Sequence, residues 1–127
     1  MKNQTNQTKT LKSIVEEILK NTEDDTINYC FFQAQGIEPY CGKFYYKGQE
    51  ETYNQLIQAG ITSEFADQYG GEDKGDKYWT VYKFSKGNEA VYVQFDGWYA
   101  SYSGSEFNEC FFVEPKEVQV VQFRRCN

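Results

Sequence analysis

KYWTVYKFSKGNEAVYVQFDG, residues 77–97, is the stretch that decides the fold class of this chain. Aromatic and β-branched side chains occupy every second position on both sides of a Lys-Gly-Asn-Glu turn. They are Tyr78, Thr80, Tyr82 and Phe84 before the turn, and Val91, Val93 and Phe95 after it. Because successive side chains of a strand point to opposite faces, this alternation predicts two strands that each bury one face. The short glycine-containing turn predicts that they pair as an antiparallel hairpin.

The sheet is expected to continue beyond this hairpin toward the C-terminus. Gly97 is a candidate bulge or bend, residues 98–102 continue as a strand, and Ser103 with Gly104 marks the next turn. Residues 111–113 and 117–123 complete the sheet, with Pro115 between them. About four strands in a meander are therefore predicted for the C-terminal half.

The chain before residue 70 has helical features instead. Between Leu11 and Leu19, apolar residues recur at spacings of three and four. This predicts an amphipathic helix that Thr8 or Thr10 caps and Asn21 ends. Residues 50–59, ended by Gly60, and residues 62–69 are predicted as two further helices. Residues 27–33 are predicted as a strand, and residues 43–47 as a strand or a loop.

These elements together predict an α+β fold with a small helical N-terminal half packed on a C-terminal antiparallel β-meander sheet. Residues 1–9 are polar and are expected to form a flexible N-terminus. Residues 10–127 have the length of one domain. The 11 Tyr, 10 Phe and 2 Trp residues indicate that the core is largely aromatic.

The formal net charge of −6 limits the partners that the chain can bind. Nucleic acids and anionic membranes attract cationic proteins, so direct binding to either is not expected. The polar N-terminus has no apolar signal-peptide core, and no stretch approaches the ~18 apolar residues of a membrane span. A cytoplasmic location is therefore expected. There the four cysteines, Cys30, Cys41, Cys110 and Cys126, would be reduced thiols.

Three stretches of the C-terminal half carry a resemblance to a known group of proteins. They read GGEDKGDKYWTVYKF from Gly70, VQFDGWYASYSGSEF from Val93, and VEPKEVQVVQF from Val113. In order, they resemble a family of small phage and prophage proteins with the pattern GGE-x-x-G-x-x-YW-x-V, DG-x-Y-x-S-Y-x-G and V-x-P-x-E-V. The resemblance covers roughly residues 70–123. It implies a phage origin and a compact β-meander, and it brings no activity and no catalytic residues with it.

Two groups of residues are candidate binding surfaces. The first is an aromatic hairpin formed by Trp98, Tyr99, Tyr102 and Phe107. Alternation divides it between two faces, one for the core and one partly exposed, and Trp and Tyr are enriched in binding hot spots. The second is an acidic face whose charges could imitate a nucleic-acid backbone against a basic protein, although a solvated helical face explains the same pattern. Its members are Glu50, Glu51, Glu64, Asp67, Glu72, Asp73 and Asp76.

Signs of catalysis or metal binding are weak. The chain has no histidine, which excludes Ser-His and Cys-His activation of a nucleophile. Asp96, Glu106 and Glu109 have the chemistry of a glycosidase carboxylate pair, but carboxylates are common on hairpin surfaces. The acidic loop of residues 70–76 lacks the alternate spacing of a calcium loop. We therefore predict no metal and no cofactor.

The favoured hypothesis is a small acidic non-enzymatic phage-type protein that binds and inhibits a host protein with a basic surface. An anti-CRISPR or other anti-defence inhibitor is its most specific form. The alternative is a protein that binds or sequesters a small ligand such as a nucleotide signal, through the aromatic hairpin and Lys43, Lys47 or Lys83. An enzyme that uses Asp96, Glu106 or Glu109 is a third hypothesis. The oligomeric state stays open, a homodimer included.

Overall fold

The structure is a computed structural model, and it describes residues 9–70, 77–100 and 104–116, together with Phe123 and Cys126. These residues form three α-helices, a π-helix and four strands. In chain order they are α1 (Leu11–Lys20), α2 (Asp24–Ile27), the π-helix (Asn28–Phe32), α3 (Lys47–Gln58), β1 (Thr62–Gly70), β2 (Lys77–Lys86), β3 (Glu89–Ala100) and β4 (Gly104–Val113). The strands form one antiparallel sheet in the order β1-β2-β3-β4. The predicted α+β class with an antiparallel meander is confirmed.

The predicted hairpin is present as β2 and β3. Its register pairs Thr80 with Phe95, Tyr82 with Val93, and Phe84 with Val91. These residues face the helices, and we call this side of the sheet the inner face. All of them are buried except Val91, which is half-buried. The twofold alternation of the sequence therefore identified the side of each strand that forms the core.

The π-helix is the element that joins the helices to the inner face. The ring of Phe31 lies stacked on that of Phe95, with 5.0 Å between their centroids, and meets the ring of Tyr82 edge-on at 5.1 Å. The buried Thr80 hydroxyl donates a 2.7 Å hydrogen bond to the Phe31 carbonyl. The Tyr82 hydroxyl donates to the Cys30 carbonyl at 3.3 Å. Aromatic packing and two buried hydrogen bonds thus set the position of the helical layer.

Helix α1 forms as its periodicity predicted. Thr10 is the N-cap, and its side chain accepts a hydrogen bond from the Ser13 amide at 3.1 Å. Asn21 is the C-cap. The buried face consists of Leu11, Val15, Ile18 and Leu19. Because capping satisfies an otherwise free amide and the apolar side chains lie on one face, both local sequence and packing stabilise this helix.

Helix α3 covers the predicted helix of residues 50–59 and begins three residues earlier. Gly60 follows its C-cap with a φ of 74°, and its amide donates to the Ile57 carbonyl at 3.0 Å. The Ile61 amide donates to the Leu56 carbonyl at 2.9 Å. This is a Schellman motif, with Leu56 and Ile61 buried together. The predicted glycine cap is therefore confirmed.

Two predicted elements are wrong, and the first is the strand over residues 27–33. These residues complete α2 and form the π-helix. Cys30, Phe31 and Phe32 are all fully buried, which an alternating strand would not achieve. A short apolar run without alternation fits a buried helix as well as a buried strand. The acidic residues before it belong to the first turn of α2, where the helix dipole favours them.

The second wrong prediction is the helix over residues 62–69, which is the edge strand β1. Most of its side chains are exposed, so burial leaves no clear period in its sequence. Pairing with β2 determines its conformation instead. Residues 43–46 form a loop, apart from a single bridge between Tyr40 and Lys43, and Lys47 begins α3. Residues 111–113 belong to β4, and the predicted strand of residues 117–123 lies outside the described residues except for Phe123.

Candidate functional site

The outer face of the sheet, turned away from the helices, carries a second set of aromatic side chains. The described helices all contribute to the single core on the inner side. Alternation along each strand places five aromatic residues on the opposite side: Tyr69, Trp79, Tyr92, Trp98 and Phe111. All five are half-buried or exposed. Aromatic rings contribute much of the binding energy of protein interfaces, so this outer aromatic face is a candidate site.

Two of these rings are held together across strands. Tyr69 of β1 lies opposite Trp79 of β2, and their rings are stacked with 5.8 Å between centroids. The register of β1 shifts between Phe65 and Asp67, so that Ala66 is an extra residue. Because of this bulge, Tyr69 shares a face with Asp67 and Glu64 instead of pointing to the helices. The bulge therefore extends the outer aromatic face to the edge strand.

Charged side chains lie on the same outer face as these aromatic rings. Glu64 of β1 forms an ion pair with Lys83 of β2, with 3.8 Å between the carboxylate oxygen and the ammonium nitrogen. Asp67 is exposed on the same strand. Asp96 of β3 lies directly opposite Glu109 of β4, and the Asp96 carboxylate accepts a 3.1 Å hydrogen bond from the side-chain Nε2 of Gln94. The outer face thus combines aromatic surface with several carboxylates.

The predicted aromatic hairpin does not form one surface. Trp98 lies on the outer face and is 50% exposed. Phe107 lies on the inner face, where its ring is 6.2 Å from the rings of both Phe32 and Phe95. We therefore remove Phe107 from the candidate surface. Tyr99 pairs with Ser105 in the ladder between β3 and β4, and Tyr102 lies outside the described residues.

A bulge explains the position of Phe107. The ladder between β3 and β4 pairs Asp96 with Glu109 and Gly97 with Phe107, so Asn108 is an extra residue. An unbroken alternation through Cys110 would have turned Phe107 outward. The bulge turns it inward. The prediction of a bend at Gly97 was correct in position, but the extra residue belongs to the facing strand.

The predicted acidic face is divided in two. Glu64 and Asp67 lie on β1 beside the outer aromatic residues. Glu50 and Glu51 are exposed on α3, in the helical layer. Glu72, Asp73 and Asp76 lie outside the described residues. The structure thus brings two of the predicted acidic residues to the same face as Trp98, and places two others elsewhere.

Sequence reasoning missed most of the outer aromatic face. Tyr69 was not identified because residues 62–69 were wrongly predicted as a helix. Alternation separated Trp79 from the face that carries Tyr78, but Trp79, Tyr92 and Phe111 were not predicted as parts of a binding surface. The sequence did contain a signal for this face, because aromatic residues occupy both faces of an alternating strand. Tyr78 and Trp79, which are neighbours in the chain, are an example.

A second feature is a small cavity of about 230 Å³ between the π-helix and α3. Tyr29, Tyr40, Tyr45 and Glu38 contribute to its wall, and the buried Gln49 also lines it. The Tyr29 ring is 5.9 Å from the Tyr45 ring, tilted by 55°. From the sequence, residues 43–47 were predicted as a strand or a loop, and Lys43, Lys47 or Lys83 entered only the alternative hypothesis of small-ligand binding. Lys83 lies instead on the outer face of the sheet, whereas Lys43 and Lys47 precede or begin α3.

The titratable groups most affected by the fold are in the core. Burial raises the pKa of the Cys30 thiol to about 12. Burial, with smaller contributions from Cys30 and Tyr78, raises the pKa of the Tyr82 hydroxyl to about 12. Since a thiolate is the reactive form of cysteine, the buried Cys30 is an inert core residue. Cys41 and Cys126 are exposed, Cys110 is half-buried, and all four cysteines are free.

Within the described ranges, no group of three or more Cys, Asp or Glu residues is arranged to hold a metal ion. No helix of the described residues is long and apolar enough to cross a membrane. Comparisons with models of known families, with curated proteins and with solved structures found no match to this chain.

Proposed function

We propose that this chain is a non-enzymatic protein that binds a host protein and inhibits it, and that the outer aromatic face is the contact surface. The observation that supports this most is the half-exposed Trp98, which lies on the same face as the stacked pair of Tyr69 and Trp79. Large exposed aromatic surface is costly in water and is typical of interaction sites. The phage-like motifs of the C-terminal half favour a host defence component, including CRISPR machinery, as the target.

Charge favours a partner with a basic surface. The chain carries 19 acidic and 13 basic residues. On the outer face Asp67, Asp96 and Glu109 have no ion-pair partner among the described residues, whereas Lys83 is already paired with Glu64. Unpaired carboxylates at the edge of an aromatic surface attract a cationic partner and speed its association.

The test compares variants of equal charge on two surfaces. Asp67→Lys with Glu109→Lys changes the outer face, and Glu50→Lys with Glu51→Lys changes α3. All four carboxylates are exposed, and each double variant brings the net charge from −6 to −2. Immobilised variants are incubated with bacterial lysate, and each captured protein is quantified by mass spectrometry. We expect the specific partner to be lost or weakened with the outer-face variant and retained with the α3 variant.

Trp98→Ala tests the aromatic contribution separately. Truncating a buried aromatic anchor costs on the order of 2 kcal/mol or more, about 30-fold in affinity. This loss should persist at high salt, whereas the effect of the lysine substitutions should shrink as salt screens charge. The activity of the captured partner, measured with and without the protein, then reports inhibition. Equal capture by all variants, or multiple turnover of a substrate that Asp96→Asn abolishes, would contradict the proposal.

A further inference from the structure

Three tyrosines and one carboxylate line the cavity between the π-helix and α3, together with Gln35, Gly36 and Gln49. Tyr29, Tyr40 and Tyr45 contribute three rings, and Glu38 contributes the acid. Tyr40 is 68% exposed and Tyr45 is 60% exposed, although both line a concave site. The volume of about 230 Å³ is below the ~300–1,000 Å³ typical of drug-sized ligands. The site therefore suits a small head group or the end of one side chain.

The rings are arranged as walls and not as a stack. The Tyr29 ring is tilted by 55° to the ring of Tyr45 and by 55° to the ring of Tyr46, at centroid distances of 5.9 and 4.8 Å. A tyrosine ring with the ordinary pKa of 10.0 is already neutral at physiological pH, and desolvation first, then Tyr45, Cys30 and Tyr46, raises the pKa of the Tyr29 hydroxyl further. A cation held over the faces of neutral aromatic rings is attracted by their quadrupoles.

The fold holds these walls in place through one buried side chain. Gln49 is 2% exposed. Its carbonyl oxygen accepts a 2.9 Å hydrogen bond from the Tyr45 amide, and its amide nitrogen donates to the carbonyls of Ile37 and Glu38 at 3.1 and 3.4 Å. The same carboxamide thus connects both sides of the cavity. A preformed site loses less entropy when a ligand binds.

A tight turn presents the third ring. The amides and carbonyls of Tyr40 and Lys43 exchange hydrogen bonds of 2.9 and 3.0 Å. The two residues between them, Cys41 and Gly42, have φ values of 53° and 77°. Positive φ at both central positions defines a type I′ turn, and a non-glycine residue adopts it at some energetic cost. The chain accepts this conformation where Tyr40 projects beside the cavity.

From this geometry we infer that the cavity is a binding site for an alkylammonium group, either a free quaternary amine or the ammonium end of a lysine side chain. Aromatic faces attract the cation, and Glu38 supplies an opposite charge. Glu38 takes part in no ion pair within the described residues. The inference does not depend on the outer aromatic face, because the two sites lie on different sides of the sheet.

The experiment uses the whole chain and a pair of probes with the same shape. Choline carries the quaternary charge, and 3,3-dimethylbutan-1-ol is its neutral isostere. NMR titration follows the tyrosine ring signals. We expect saturable binding of choline, and binding of the neutral isostere to be weaker by about 2- to 30-fold, the range that ~0.5–2 kcal/mol of cation–π attraction supplies. A short peptide with one lysine, and its trimethyllysine form, tests the other source of the group.

Variants assign the binding to this cavity. Tyr40→Leu removes an exposed wall, and Glu38→Gln removes the charge without changing size. Both substitutions should weaken the binding of the ammonium probe several-fold. Tyr69→Leu is the matched control, because Tyr69 is also an exposed tyrosine but lies on the outer face. Tighter binding of choline identifies a free amine as the ligand class, and tighter binding of either peptide identifies a protein side chain.

Three results would overturn the inference. They are no saturable binding of any ammonium probe, equal binding of choline and its neutral isostere, or an unchanged affinity in both Tyr40→Leu and Glu38→Gln. None of these results bears on the outer aromatic face. Conversely, loss of partner capture with Trp98→Ala would leave choline binding unchanged.

Discussion

Three residues apart on strand β3, Phe95 and Trp98 have opposite environments. Phe95 is fully buried on the inner face and lies stacked on Phe31, whereas Trp98 is half exposed on the outer face. The helical layer covers the inner face. Packing and the hydrogen bond from the Thr80 hydroxyl to the Phe31 carbonyl hold this layer in place. On the outer face, the ring contacts between described residues link strands of the same sheet, as between Tyr69 and Trp79.

This comparison shows that aromatic content alone does not identify a core. Both faces are rich in aromatic rings, but among the residues that the structure describes, helices cover only the inner face. Rings that pack within one sheet face gain cross-strand contacts and keep much of their surface in water. The two faces should therefore respond very differently to truncation, to pH and to salt.

The largest expected difference comes from truncating one ring on each side. Phe31→Ala should lower the free energy of unfolding by about 3–5 kcal/mol, because it removes a buried ring and leaves a cavity. Trp98→Ala should lower it by less than ~1 kcal/mol, because half of that side chain is already in water. Urea unfolding followed by far-UV circular dichroism measures both values.

If Phe31→Ala does not fold, Phe31→Leu provides the comparison at a smaller loss of volume. Equal destabilisation of the inner-face and outer-face variants would show that the outer face is also covered.

The second expected difference is a loss of stability at alkaline pH, which comes from two groups buried on the inner side of the sheet. Burial raises the pKa of Cys30 from 9.0 to about 12 and that of Tyr82 from 10.0 to about 12. Both groups are neutral when protonated, and the folded state holds their protons more tightly than the unfolded state does. Their contribution to stability is therefore complete below about pH 9 and is lost as the pH rises toward 12. Urea midpoints measured from pH 7 upward should fall across this range.

Tyr82→Phe is the control for the alkaline effect. It removes one of the two titrating groups, so its stability should fall less steeply above pH 10 than that of the unmodified chain. In ultraviolet titration of the folded chain, Tyr82 should be among the last tyrosines to ionise. An equal pH slope for both proteins would show that the Tyr82 hydroxyl is not held neutral by the fold.

The smallest expected effect concerns the ion pair on the outer face. Lys83 and Glu64 are 3.8 Å apart, and the side chains are 34% and 68% exposed. Exposed pairs contribute about 0.2–1 kcal/mol, so Lys83→Met should change stability by less than ~1 kcal/mol, and less still at high salt. Chemical unfolding at low and high salt measures this. A loss as large as that of Phe31→Ala would mean that the pair is shielded from solvent.

Part of the fold was predictable from short-range patterns. The alternation of residues 77–97, the spacing and Thr10 cap of α1, and Gly60 at the end of α3 each have a local physical cause, and each prediction is confirmed. Residues 27–33 and 62–69 were predicted wrongly because their local patterns are ambiguous. The first is apolar without a period, and the second is an exposed edge strand.

The candidate site was less predictable than the fold. Trp98 was identified from its residue type, and its exposure agrees with that choice. Phe107 was placed on the candidate surface because the bulge at Asn108, which reverses the direction of alternation, was not foreseen, and Tyr69 was missed because residues 62–69 were predicted as a helix. A bulge depends on how two strands pair, and neither strand shows it alone.

By itself, the sequence determined the fold class, the acidic charge, the absence of histidine and the two strands at the centre of the sheet, because these depend on composition and on periods of a few residues. The tertiary structure decided which aromatic rings became core and which stayed on the outer face. It also placed Glu64 and Asp67 on the same face of the sheet as Trp98, separated them from Glu50 and Glu51, and assembled the cavity lined by three tyrosines and Gln49. These arrangements depend on strand register and on contacts between residues distant in the chain, which local patterns do not contain.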